Sequence, residues 1–129
     1  MKTLFLFLLL SIFSFPQSDS IDCDQLFYQT QHIIIEKPAE IIGGLDSIYG
    51  RIIFPEQALK NKIEGKVYIL VLIDSTGKPF CPKVIKGLGY GCDEEAIRLV
   101  MSTNFFPAVT RLKFITTPMS IPIKFKLPD

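Results

Sequence analysis

The chain has 129 residues, 48% of them apolar, and carries 14 Lys plus Arg against 13 Asp plus Glu with a single histidine. That length suits one domain with one core, and a net charge of +1 with no basic stripe interleaved with aromatics argues against nucleic acid as a partner. Three cysteines without a Cys-x-x-Cys pair, and one histidine, give metal or redox chemistry little to build on.

Lys2 precedes an apolar run from Leu4 to Phe15, about a dozen residues, shorter than the roughly 20 that cross a bilayer as a helix. This reads as a secretory signal over residues 1–20, with Ser18-Asp19-Ser20 near the cleavage point; the alternative is an uncleaved short anchor that leaves the protein membrane-associated. Loss of Lys2 and Asp19 with the signal leaves 13 cations and 12 anions, the same balance. Cys23 follows Ser20-Ile21-Asp22, and an acidic residue directly before the cysteine fits a lipidation signal poorly. Residues 21–40 then form an N-terminal extension with no repeat or proline-rich run, in which Ile33-Ile34-Ile35 is expected to pack as a short strand. His32 beside that run has no second ligand at metal spacing and is expected to be a solvent-exposed or satisfied side chain.

Phe54-Pro55-Glu56 opens a helix, with proline where an N–H has no partner and an acid where the dipole favours one; Ala58, Leu59 and Ile63 give its apolar face and Gly65 ends it. Lys66 to Ile73 is an almost unbroken aliphatic and β-branched run, expected as a central strand apolar on both faces. Asp74-Ser75-Thr76-Gly77-Lys78-Pro79 is turn chemistry, so the strand folds back as a hairpin into Phe80 to Lys86. Gly87, Gly89 and Gly91 make a flexible connector, and Asp93-Glu94-Glu95 charges the first turn of a helix whose apolar positions are Ala96, Ile97, Val100 and Met101, with Arg98 pointing away and an end near Asn104. Phe105, Phe106, Val109 and Leu112 are expected to cover a sheet end.

Met119, Ile121, Ile123, Phe125 and Leu127 alternate with Ser120, Pro122, Lys124 and Lys126, the period of a strand with one face on a core. Pro122 cannot donate on the side its nitrogen faces, which places this strand at a sheet edge. The expected fold is α+β: a small antiparallel sheet made of the hairpin and the C-terminal strand, packed on one face by two helices.

In this order, Phe54-Pro55-Glu56-Gln57-Ala58, Glu64-Gly65-Lys66-Val67, the Asp74 to Gly77 turn, Cys92-Asp93-Glu94-Glu95-Ala96, Phe106-Pro107-Ala108 and Ile121 to Leu127 make the chain resemble the C-terminal domain of the TonB energy transducer family, with residues 41–129 as the domain. The resemblance covers about the last three-fifths of the chain. It implies a periplasmic module that captures a short extended segment of an outer-membrane transporter by strand addition, accessory to TonB-dependent transport. Full transducers of the family carry a membrane helix and a long proline-rich spacer. The text before the domain resembles neither, so the implied property is the partner type and not the work cycle.

The expected peptide-binding residues are Ser120, Ile121, Ile123, Lys124, Phe125, Lys126 and Leu127, because an open strand edge adds another chain by main-chain hydrogen bonds. Lys124 and Lys126 on the solvent face either attract acidic partners or guard the edge against aggregation. The same edge also permits a homodimer or a self-associating envelope component. Cys81 and Cys92 bracket one strand and its connector and are candidates for a disulfide; alternatively Cys92 is a buried apolar residue and Cys81 a free thiol, and Cys23 stays unpaired in either case. Asp93-Glu94-Glu95 is read as helix N-terminal charge and Gly87 to Gly91 as a connector lacking the Lys-Ser/Thr of a phosphate loop, so no catalytic residue, metal or cofactor is assigned.

Overall fold

A computed structural model describes residues 20–129, so the apolar run read as an export signal lies outside the described residues. The centre is a three-stranded antiparallel sheet of β2 (Gly65–Ile73), β3 (Pro79–Lys86) and β7 (Thr117–Phe125) in the order β3-β2-β7. The aliphatic run takes the middle place, as expected. Val67, Ile69, Val71 and Ile73 of β2 are fully buried in the main core, whereas Tyr68 and Leu70, on the other face, are half-buried.

The β2–β3 turn is built by one carboxylate. Asp74 accepts from the Thr76 N–H at 2.8 Å, the Thr76 hydroxyl at 2.6 Å and the Lys78 N–H at 3.0 Å. Gly77 has φ +87°, and a Cβ there would run into the Phe105 carbonyl, whose own N–H bonds to Gly77 O at 3.1 Å.

Two helices, α3 (Glu56–Lys60) and α4 (Cys92–Met101), pack on the core face of the sheet through Ala58, Cys92, Ala96, Leu99 and Val100. Pro55 serves as the N-cap of α3 rather than its first residue. Arg98 is exposed but not free: it pairs with the buried Glu95 and donates to the Arg51 carbonyl at 3.2 Å, while Glu95 accepts the Ile53 N–H at 3.3 Å. The pair thereby staples residues 51–53 to α4, and the bond to Glu95 holds the Arg98 guanidinium above its usual range. The glycine connector is likewise tied down, since the Asp93 carboxylate accepts the N–H groups of Leu88 at 2.8 Å and Gly89 at 3.3 Å.

Four short strands border the same core through Ile41, Phe105, Ala108 and Ile115. β1 (Glu40–Ile41) pairs with β4 (Phe105–Phe106), and β5 (Ala108–Thr110) with β6 (Lys113–Ile115). The N-terminal segment joins this layer through Glu36 and Lys37, whose N–H groups both bond to Val109 O, and not through Ile33-Ile34-Ile35, which stay outside any strand with Ile34 77% exposed. Phe105 is buried, but Phe106 and Leu112 are exposed rather than covering the sheet. A helix α2 (Gly44–Tyr49) follows β1 and anchors by Ile48, fully buried in the core.

The extension supplies one more helix, α1 (Cys23–Thr30), capped by Asp22, which accepts the Gln25 N–H at 3.2 Å. Cys23 is disulfide-bonded to Cys81 with Cα atoms 5.8 Å apart, and Asp24 lies 3.8 Å from Lys83, so α1 is fastened to β3; it also touches β7. Leu72 points away from the main core, because its neighbours Val71 and Ile73 point into it, yet it is fully buried. The helix α1, with Phe27 buried, covers that end of the second face. The Cys81–Cys92 pairing is therefore corrected. Cys81 falls in the register shift between Leu70 and Leu72 with φ +53°, bonded to a helix on the second face, while Cys92 is fully buried in the core on the first. The sheet stands between them.

Candidate peptide-binding edge

β7 pairs with β2 along its whole length, from Thr117↔Ile73 to Phe125↔Gly65, and among the described residues no strand lies on its other side. The prolines fix which main-chain groups face out. A residue without an N–H cannot occupy a hydrogen-bonded position of an antiparallel ladder, so Pro118 and Pro122 sit at non-bonded positions opposite Leu72 and Tyr68, and their carbonyls point outward. Two further contacts agree. The Tyr49 hydroxyl donates to Pro122 O from outside at 3.4 Å, and the Leu127 N–H turns the other way, to the Glu64 carboxylate at 2.9 Å.

This parity sorts the residues expected at the site. Ile121, Ile123 and Phe125 have their side chains buried in the core and their main chain turned to β2, and the Leu127 N–H is taken by Glu64. Ser120 and Lys124 are exposed and present outward N–H and C=O groups, and Lys126 continues the same parity beyond the strand. Within β7 an added strand would thus meet donors at Ser120 and Lys124, separated by the donor-less Pro122.

Beside the C-terminal half of this edge lies an apolar groove of about 490 Å³, lined by Tyr49, Ile52, Phe54, Leu59, Lys124, Lys126 and Pro128. The chain builds its floor by stapling residues 51–53 to α4, and Phe54 meets Phe125 edge-on with ring centroids 5.9 Å apart. Two lysines stand at its lip. Sequence reasoning did not reach Tyr49, Ile52 or Leu59, because they come from separate segments gathered only by the tertiary fold. His32 meets Tyr28 edge-on and is exposed, and among the described residues no group of His, Cys, Asp and Glu could hold a metal.

The chain is thus an α+β domain with a three-stranded antiparallel sheet whose C-terminal strand has no strand on its outer side among the described residues. The family model for the Gram-negative bacterial TonB protein C-terminal matches residues 51–127, more than half of the chain, so the chain belongs to that family. The solution structure of the Pseudomonas aeruginosa TonB C-terminal domain is similar in fold, with a TM-score of 0.50 and 24% identity over 60% of this chain and 79% of that one. No curated protein matches the chain. Among the described residues no helix is long and apolar enough to cross a membrane.

Proposed function

We propose that this chain is an exported, periplasmic binding module that takes up an extended peptide of an outer-membrane transporter by strand addition on the outer edge of β7, and is not an enzyme. The observation that carries the reading is the free edge itself: outward main-chain groups at Ser120 and Lys124 alongside an apolar groove with lysines at its rim. Main-chain pairing supplies affinity without regard to sequence, and a groove that accepts one bulky side chain supplies selection. The family and the fold support the choice of a transporter peptide as ligand.

Titrating the isotope-labelled protein with peptides from the N-terminal segments of outer-membrane transporters tests this. The Ser120 and Lys124 amides are expected to shift most, while the Ile121, Ile123 and Phe125 amides, already bonded to β2, shift less. A panel that moves neither Ser120 nor Lys124 rules the reading out. Concentration-dependent sedimentation with the same shifts in the absence of peptide would assign the edge to a second copy instead.

A further inference from the structure

The second face of the sheet carries a charge pattern that the edge shares only at Lys124 and Lys126. Cross-strand partners share a face, so the strand register places Lys66 beside Lys124, then Lys86, Tyr68 and Pro122 in one row, and Lys83, Leu70 and Ser120 in the next. At one end α1 is fastened to β3 through Cys81 and stands beside Lys83, while Lys66, Lys86 and Lys124 at the other end are exposed. Lys66, Lys86, Lys124 and Lys126 are all exposed, and none is in a salt bridge among the described residues. Lys66 and Lys124 are directly opposed like charges, an arrangement that costs stability in a free sheet. With Lys126 they line a cleft of about 260 Å³ whose only acid is Glu64, itself accepting the Leu127 N–H. Lys83 alone is offset, by Asp24 at 3.8 Å.

We propose that this open face docks on a bilayer surface of anionic phospholipid. The cations are all lysines, point charges on flexible stems, with no arginine fork and no buried donor to fix one stereospecific anion. Such a set suits a mobile lattice of phosphates better than a single shaped ligand. Between the lysines lie half-buried Tyr68, Leu70 and Pro122, and an amphipathic tyrosine at headgroup depth is the side chain that membrane interfaces favour. Docking would bring counter-charge to the Lys66–Lys124 pair. It leaves the outward main chain of β7, at right angles to this face, available to a peptide, and because Lys66 and Lys86 lie on β2 and β3, off the groove, substitutions there separate the two bindings.

The test is co-sedimentation of the purified full chain, with any processed form identified by mass, against vesicles of phosphatidylglycerol mixed with phosphatidylcholine and against phosphatidylcholine alone. Binding is expected to the first only and to weaken as salt rises from about 50 to about 300 mM, over which the Debye length falls from roughly 14 to roughly 6 Å. Lys66→Gln with Lys86→Gln, neither on β7, is expected to weaken it by about 25-fold, roughly fivefold per lysine. The same variant should melt no lower than the parent, because it removes the Lys66–Lys124 repulsion, so lost binding is not lost folding. Equal binding to both vesicles, or binding that survives the double substitution, overturns the proposal. So does a soluble acidic peptide that shifts the Lys66 and Lys86 amides without lipid and displaces the vesicles, which would assign the face to a protein.

Discussion

The Tyr49 hydroxyl donates to the Pro122 carbonyl at 3.4 Å, joining α2 to the outer edge of β7 across 73 residues of sequence. At that length the bond is weak, and it occupies an outward acceptor that an added strand would otherwise use. Tyr49→Phe is therefore expected to cost less than about 1 kcal/mol in denaturant unfolding and to leave peptide affinity unchanged or tighter by up to about fivefold. A tenfold loss of affinity would show instead that the hydroxyl touches the peptide.

The Cys23–Cys81 bridge closes a loop of 58 residues. On the chain-entropy model such a loop is worth about 4 kcal/mol, so a reduced protein, or Cys23→Ser with Cys81→Ser, should lose roughly 2 to 4 kcal/mol. The loss should centre on α1, which the bridge fastens to β3 and whose Phe27 is buried. Limited proteolysis under reducing conditions is expected to cut first within residues 20–35. Cleavage elsewhere, with α1 intact, would mean that packing alone holds the helix.

Cys92 is the free thiol among the described residues, and burial first, then the neighbouring charges of Asp93 and Glu94, push its pKa up. Reactivity follows the thiolate. An aromatic disulfide reagent at pH 8 is expected to find no thiol in the folded, oxidised protein and one equivalent after denaturation. A fast reaction in the folded state would contradict the buried placement.

The three strands of the main sheet and its edge are legible because each is written in a short stretch of text, whereas β1, β4, β5 and β6 are too short to leave a period. The period-two run from Met119 to Leu127 gives the face, and Pro122 gives the edge. Pro118 and Pro122, four apart, also carry the outward parity of Ser120 and Lys124. The extension was misread for a physical reason: Ile33-Ile34-Ile35 has strand composition, but the pairing was won by Glu36 and Lys37, which find Val109 across the fold. Proximity in sequence makes Cys81 and Cys92 a candidate pair, but the bulge at Cys81 and the face on which α1 lies are tertiary facts; Cys81 pairs with Cys23 instead, and Cys92 is the buried apolar residue of the alternative reading. The groove residues Tyr49, Ile52 and Leu59 share no spacing that a sequence could show.

Asp74 makes the hairpin turn sensitive to acid. Its slight burial tends to raise its pKa, but the hydrogen bonds from the Thr76 side chain and from the Lys78 and Thr76 main chain outweigh this, and the folded value lies below the ordinary one of 3.8. A folded pKa below the unfolded one contributes stability that is full above the unfolded pKa and is lost as pH falls through the folded value. The site is largely exposed, so screening limits the effect to about 1 kcal/mol. Asp74→Asn is thus expected to be less stable than the parent by about that amount at pH 7, with the gap unchanged at pH 5 and shrinking below pH 4 (about the unfolded carboxylate pKa). Urea midpoints at pH 7, 5 and 3 measure it. A gap that persists undiminished at pH 3 would show that the turn needs the shape of the aspartate and not its charge.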